Sequence, residues 1–428
     1  MKVLIVDRAG DGMLDIAIRA QRAGHQVKWF LGSYDRYKRP VGKGLVDIVN
    51  DYRAWERWAD LVLLPANDRY MAEMESWKRR GVPVIGGTPA SAAWEVDRIA
   101  GMKAFKEAKI PVPEYKEFRD YDSAIAFVKR EGRAFVSKPC WAEDNKALSY
   151  VGKSADDLLF MLQRWKRKNG RPKGPFILQE KIDGTEYAVS GWFGPAGFAP
   201  VIEENFEGKK LYSGDLGPNT GEMHTCMMFV KNSKLFDKVL KPVENQLHKL
   251  KYIGSVDVNC IVSDDGEPYP LEWTIRFGWP SFNIEQSLID GDMMEFLAQL
   301  AKGKADPPHR LDEIAIGCVV GIGDYPHSHM TRKEVVGVPI WGADVDDPNI
   351  HLCEAQMVDG QLQTAGDYTM VVTGTGPTIQ SARRSVYRRL DRLEIPASPF
   401  WRDDAGRRVS RQLPQLHENG YAKQWAAS

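Results

Sequence analysis

Short apolar runs separated by turn residues dominate the first hundred positions. Lys2–Val6 is followed by the polar, glycine-bearing stretch Asp7-Arg8-Ala9-Gly10-Asp11-Gly12, then by helical spacing over Met13–Ala23 and a second apolar run, Val27–Leu31. That order predicts a strand–turn–helix–strand opening of an open parallel sheet. Leu61–Leu64 and Val82–Ile85 read as further buried strands, each running into turn chemistry. Residues 90–109 read as one helix, halted by Ile110-Pro111-Val112-Pro113, because closely spaced prolines cannot continue it.

From Glu114 to about Ile182 strand and helix alternate on a smaller scale. Strands are expected at Phe135–Pro139, Ser149–Gly152 and Phe176–Glu180, with a helix over Ala155–Lys168. Strands Glu186–Phe193 and Phe198–Glu203 then lead into a polar, glycine-rich segment, 204–225, expected to be a loop. Leu235–Leu250 is amphipathic and should divide at Pro242. Gly254–Ile261 and a returning strand around Glu272 form a hairpin about Asp264-Asp265-Gly266. After a helical stretch at 285–302, the remainder shows short strands (Ala315–Ile322, Tyr368–Thr373), one long helix (Ile379–Leu393) and a polar tail, 404–428, with little periodicity.

Composition narrows the class. A chain of 428 residues has material for two to four domains. Lys plus Arg and Asp plus Glu balance at 58 each, so no net field points to nucleic acid or an anionic membrane. Five scattered cysteines without CxxC spacing argue against a disulfide framework or a zinc knuckle and fit a reducing, cytoplasmic setting. No leader stands before the first strand, and no apolar run reaches the ~20 residues needed to span a bilayer.

Two segments carry most of the chemistry. Gly217-Pro218-Asn219-Thr220-Gly221 is a turn whose use is backbone shape. In Leu271-Glu272-Trp273-Thr274-Ile275-Arg276-Phe277-Gly278, strand alternation would put Glu272, Thr274 and Arg276 on one face. Pairing about the turn at 264–266 would bring Asp257 beside Glu272, and two acids on one buried face call for a cation. Magnesium, which takes one or two carboxylates plus phosphate oxygens, suits that pair; solvent-facing acids are the bland alternative. Arg276 suits a carboxylate or phosphoryl group, or else a structural ion pair with Glu272. Lys138 at a strand end and Lys146 in the loop 141–147 are candidate phosphate contacts, against solvated lysines. Glu180 and Glu186 flank a connector that could read an adenine edge and ribose, or be merely polar. Gly10-x-Gly12 is too short a match for a dinucleotide site.

Together these residues resemble the ATP-grasp ligases, in particular the phosphoribosylamine–glycine ligase family, over nearly the whole chain. The resemblance implies an α/β ATP-grasp fold: an N-terminal open parallel α/β domain (1–95), an ATP-grasp domain (96–305) with a small lid subdomain (about 115–186), and a C-terminal α+β domain (306–428). It implies Lys138 and Lys146 on phosphates, Arg98 in place of a nucleotide-binding lysine, Glu180, Lys181 and Ile182 at adenine, and Glu186 at ribose. It further implies Glu272, Asp257 and Thr274 around magnesium, Arg276 as a substrate-binding cation, and Asp215 and Asn219 lining the acceptor pocket. The expected activity is ADP-forming ligation of a carboxylate, glycine by default, to an amine through an acyl phosphate, as in purine biosynthesis, by a monomer or homodimer using ATP and Mg²⁺. Alternatives are a divergent ligase acting on another amine, such as a modified nucleoside or nucleotide, and a non-catalytic ATP-binding protein.

Departures from the family cluster on its sugar-phosphate and glycine side. Gly10-Asp11-Gly12-Met13 stands for G-G-R-E-H, and Leu64-Pro65-Ala66-Asn67 for a G-P-E turn. Trp279 and Ser281 replace an acidic pair, Glu222 and His224 replace glycines, Thr274 replaces an asparagine, and the lid 143–147 lacks glycine.

Overall fold

A computed structural model describes residues 1–8, 12–32, 39–140, 149–304, 306–323, 325–327 and 332–428. The opening strands form a five-stranded parallel sheet. Its members are β1 (Lys2–Asp7), β2 (Gln26–Leu31), β3 (Ile48–Val49), β4 (Leu61–Leu63) and β5 (Val84–Ile85), in the order β3-β2-β1-β4-β5. Val3, Leu4, Ile5 and Val6 are all fully buried, as a strand covered on both faces requires. Helix α1 (Met13–Arg22) lays Met13, Leu14, Ile16, Ala17 and Ala20 on one face, while α2 (Met71–Arg79) buries Met74 and Trp77 on the other.

The single helix expected over 90–109 is two, α3 (Pro89–Val96) and α4 (Arg98–Glu107). Asp97 interrupts it: its backbone is extended, and its carboxylate accepts from Ile99 N (2.9 Å) and Ala100 N (3.1 Å) to start a new helix.

A small four-stranded sheet follows: β6 (Tyr115–Phe118), β7 (Phe135–Pro139), β8 (Tyr150–Val151) and β9 (Phe176–Glu180), ordered β6-β9-β7-β8 and antiparallel. Helices α5 (Tyr121–Glu131) and α6 (Ala155–Asn169) cover one face, and Phe118, Tyr121, Leu158, Leu162, Phe176 and Leu178 form a separate core.

The largest sheet corrects the reading of 204–225 as a loop. β10 (Gly184–Gly194) is followed by two long strands, β11 (Gly197–Tyr212) and β12 (Leu216–Val230). The turn shrinks to 213–215, where Gly214 and Asp215 take positive φ of 73° and 56°. Polar residues hid these strands because one face of β11 bears chemistry, while Phe206, Leu211, Met223, Met227 and Phe229 supply the burial. Irregular register at Gly208/Lys210 and Lys210/Tyr212 further blurs the alternation.

Pro242 divides the next helix as expected, giving α7 (Lys234–Val239), a 3₁₀ turn and α8 (Glu244–Lys249). β13 (Gly254–Ser263) and β14 (Pro268–Thr274) complete one edge, while α9 (Ser281–Glu285) packs against β12 and α10 (Met293–Ala301) against β10. β15 (Ile314–Gly321), the short α11 (Arg332–Val335), β16 (Ile350–Leu352), the hairpin β17 (Ala355–Val358) and β18 (Gln361–Thr364), and β19 (Tyr368–Gly376) follow.

The expected boundary at 305/306 does not separate sheets. β15, β19 and β16 extend the same sheet, whose order is β14-β13-β10-β11-β12-β15-β19-β16. α12 (Ile379–Leu390) backs β15 and β19. The tail is structured as well: α13 (Arg407–Glu418) buries Val409, Leu413 and Leu416, an i, i+4, i+7 stripe within a polar composition.

Candidate active site

One face of β10, β11, β13 and β14 carries the charged residues. The register sets Ala188 opposite Asn205 and Asn259, Asn259 opposite Glu272, and Asp257 opposite Thr274. Alternation then gathers Glu186, Glu203, Asn205, Glu207, Asp257, Asn259, Glu272 and Thr274 on a single surface. Asp257 and Glu272 share that surface as diagonal neighbours: unshifted pairing about Asp265 would set Asp257 opposite Trp273, and the one-residue shift at Asn259/Cys260 brings both acids to one face.

Lys209 joins the strands. Its Nζ lies 2.7 Å from Glu272 Oε1, 3.0 Å from Glu207 Oε2 and 3.1 Å from Glu186 Oε1. Two asparagines act as spacers. Asn259 Nδ2 donates to Glu186 Oε1 (3.0 Å) and Glu207 Oε2 (2.8 Å), and Asn205 Nδ2 to Glu203 Oε1 (2.9 Å) and Asp257 Oδ2 (3.1 Å).

The electrostatics divide the floor in two. Near its lip, the Lys209 ammonium holds the Glu272 carboxyl down at about 2, with Arg98 and Lys138 adding to the effect. Burial opposes the charge on Lys209, yet Glu207, Glu272 and Glu186 outweigh it and raise its pKa well above the ordinary value. Lys138 is pushed down to about 7 by burial and by Arg98, with Glu272 and Glu186 pulling the other way. Deeper in, burial and neighbouring acids push Glu203, Glu222 and Asp257 well above the usual carboxylate range.

Several expected site residues therefore meet here: Lys138, Arg98, Glu186, Glu272, Asp257 and Thr274. Arg98 also donates through Nε to Pro139 O (3.1 Å), fixing it against the end of β7. Glu180, Lys181 and Ile182 form the β9–β10 connector, where Arg133 engages Glu180 at 2.7 Å and Lys181 pairs with Asp183. Lys146 lies outside the described residues.

One expectation needs correction, and two further residues lie away from this surface. Arg276 does not share the face of Glu272, nor pair with it, because β14 ends at Thr274. Its guanidinium turns to Glu95 Oε1 of α3 (3.1 Å), whose other oxygen accepts from Asn67 Nδ2 (2.7 Å) and Ile275 N (3.0 Å). Asp215 sits in the hairpin turn, where Arg402 (2.9 Å) and Arg408 (3.4 Å) hold it, so it does not enter the carboxylate surface. Asn219 is exposed beside it, opposite Lys210.

Trp279 and Gly12 account for another departure. A Cβ on Gly12 would lie 2.0 Å from Trp279 Cε3, and Asn283 Nδ2 donates to Gly12 O at 3.0 Å. The indole therefore packs directly on the end of the first loop. Sequence reasoning missed Lys209, Asn205, Asn259, Glu203, Glu207 and Glu95. The signal available was the alternation Glu203, Asn205, Glu207, Lys209, hidden by reading 204–225 as loop.

Comparison with known proteins fits this geometry. Residues 101–282 match the ATP-grasp (A) domain of phosphoribosylglycinamide synthetase. A phosphoribosylamine–glycine ligase of Leptospira interrogans is 24% identical over 82% of this chain and 84% of its own length. One from Caulobacter vibrioides is 26% identical over 84% and 86%. Among solved structures, a phosphoribosylamine–glycine ligase from Thermotoga maritima superposes with a TM-score of 0.73 at 19% identity, covering 94% of this chain and 100% of that one. The ADP complex of an N5-carboxyaminoimidazole ribonucleotide synthetase gives 0.61 at 14% identity, covering 91% and 96%.

Proposed function

We propose, from the ATP-grasp fold that this chain has, that it is an ADP-forming carboxylate–amine ligase, with the chemistry of the phosphoribosylamine–glycine ligases it is similar to. The observation that carries this reading is the lip of the site, where Glu272, held ionised by Lys209, faces the cations Lys138 and Arg98.

That arrangement fits MgATP. Magnesium wants hard oxygens, and Glu272 is ionised and half exposed. Lys209 bonds its Oε1, and Oε2 has no recorded partner among the described residues. Thr274 and Asp257 offer further oxygens on the same face. Lys138 and Arg98 would meet phosphate oxygens, and phosphate would favour the charged form of Lys138. The connector Glu180–Ile182 and Glu186 would receive the nucleoside. Bound MgATP supplies the phosphoryl group that activates a carboxylate as an acyl phosphate. The chain's own residues position the reactants and neutralise charge, which is most of what such a transfer needs. The amine then attacks the acyl carbon, the C–N bond forms, phosphate leaves and the nitrogen loses a proton.

Glycine and phosphoribosylamine are the default pair. A divergent acceptor is the second reading, favoured by Trp279 packed on Gly12 where the family's loop carries polar side chains.

The test is ADP release by the purified protein with magnesium across a set of carboxylic acids, with hydroxylamine as surrogate amine. A hydroxamate is the expected product, and Glu272→Ala should cut its formation by at least about a hundredfold with melting unchanged. ATP binding without ADP release from any acid would instead assign a non-catalytic role.

A further inference from the structure

The inner half of the carboxylate surface is built differently from its lip. Three buried acceptor atoms there have no partner among the described residues: Glu222 Oε1, Asn205 Oδ1 and Asn259 Oδ1. The residues are 7%, 2% and 2% exposed. They come from three strands, β12, β11 and β13, and stand among Glu203, Glu207 and Asp257. What this group of acids lacks is a counter-charge. Its one neighbouring ammonium, Lys209, is already shared among three carboxylates.

Glu222 belongs to this chain's departures, standing where the family has glycine. It is placed there by irregular pairing: Gly208 opposes His224 and Lys210 opposes Asn219, so four residues of β12 lie against one of β11. A buried carboxylate with an unpaired oxygen destabilises a fold unless something supplies a counter-charge.

We infer that the acceptor amine of this ligase carries a second, non-reacting cationic nitrogen, as in a diamine, polyamine or amino sugar, and that Glu222 and Glu203 receive it. This rests on the ligase reading above in its divergent-acceptor form and names the acceptor class. An ammonium brings the counter-charge these acids lack, together with up to three N–H donors for the unpartnered oxygens. The two asparagines hold the carboxylates apart instead of converging them. Among the described residues no three His, Cys, Asp or Glu side chains are set to hold a metal ion. A spread of acceptors suits an extended cation better than a point ion. A phosphorylated acceptor would place its dianion against these acids, with no uncommitted cation beside them among the described residues.

The experiment is calorimetric binding to the full chain in the presence of MgADP, using putrescine, n-butylamine and O-phosphoethanolamine as probes. Putrescine is expected to bind about tenfold or more tighter than n-butylamine. Glu222→Gln, which keeps shape and removes charge, should erase that difference. Glu203→Gln is the second variant should the first not fold, with melting checked for both. Equal affinities for the two amines, or tightest binding of the phosphorylated one, would overturn the proposal. So would Mn²⁺ binding that Glu222→Gln weakens while putrescine affinity stays put. Hydroxamate formation is read separately. Hydroxamate without diamine selectivity removes this inference and keeps the ligase; diamine selectivity without hydroxamate keeps the cation pocket and removes the ligase.

Discussion

Lys209 shows how one side chain sets the state of its neighbours. It keeps Glu272 ionised at the lip, while Glu203, Glu222 and Asp257, which lack such a direct partner, are driven toward their neutral forms. His224 illustrates the opposite case, a base that burial and then Arg402 hold down to about 3. The sign follows directly. Between the unfolded value of 6.5 and the folded value of about 3, the unfolded chain binds the extra proton, so stability falls as pH falls through that window. Relative to His224→Phe, the wild-type chain should lose on the order of 4 kcal/mol on acidification across it, measured by denaturant unfolding at matched pH values. A constant difference between the two proteins would show that His224 does not titrate in this way. Of these residues Glu272 and Asp257 were legible in sequence as site candidates, and Glu222 and His224 only as departures from the family. Lys209 lies on a strand whose polar content concealed it.

Elements act on the site through close approach. The first loop ends at Gly12, whose missing side chain leaves room for the Trp279 ring, and Asn283 of α9 bonds the same residue. Gly12→Ala is therefore expected to destabilise the protein by roughly 1–3 kcal/mol through overpacking. Combining it with Trp279→Ala should recover much of that loss, because the clash then disappears. A double-mutant cycle on thermal unfolding measures the coupling. Additive effects would mean the two residues do not touch. Helices divided by Pro242 and strands such as β1 and β9 followed from local pattern. The break at Asp97 and the extent of β11 and β12 did not, since a capping carboxylate and a partner strand are supplied by the three-dimensional arrangement.

Across the molecule, the carboxyl-terminal segment braces the back of the largest sheet. Arg408 donates to Glu207 O (2.8 Å), Tyr421 OH to Gly266 O (2.8 Å), and Trp425 Nε1 to buried Glu204 Oε2 (3.1 Å). Removing residues 404–428 would expose the apolar residues they cover and leave Glu204 without its indole donor. The truncated chain is expected to lose its cooperative melting transition, followed by circular dichroism; a native-like transition would make the segment dispensable. Among the described residues no helix is long and apolar enough to cross a membrane.

The sequence by itself determined the element types wherever burial is periodic: the opening parallel sheet, the small four-stranded sheet and its helices, and the strand that carries Glu272. Motif resemblance carried the ATP-grasp fold. Only the tertiary structure decided which charges meet. Register, bulges and strand order are set by contacts between residues distant in the chain, and a shift of one position moves a side chain to the other face. That is why Arg276 went to Glu95, Asp215 to Arg402, and Lys209 to the centre of the site.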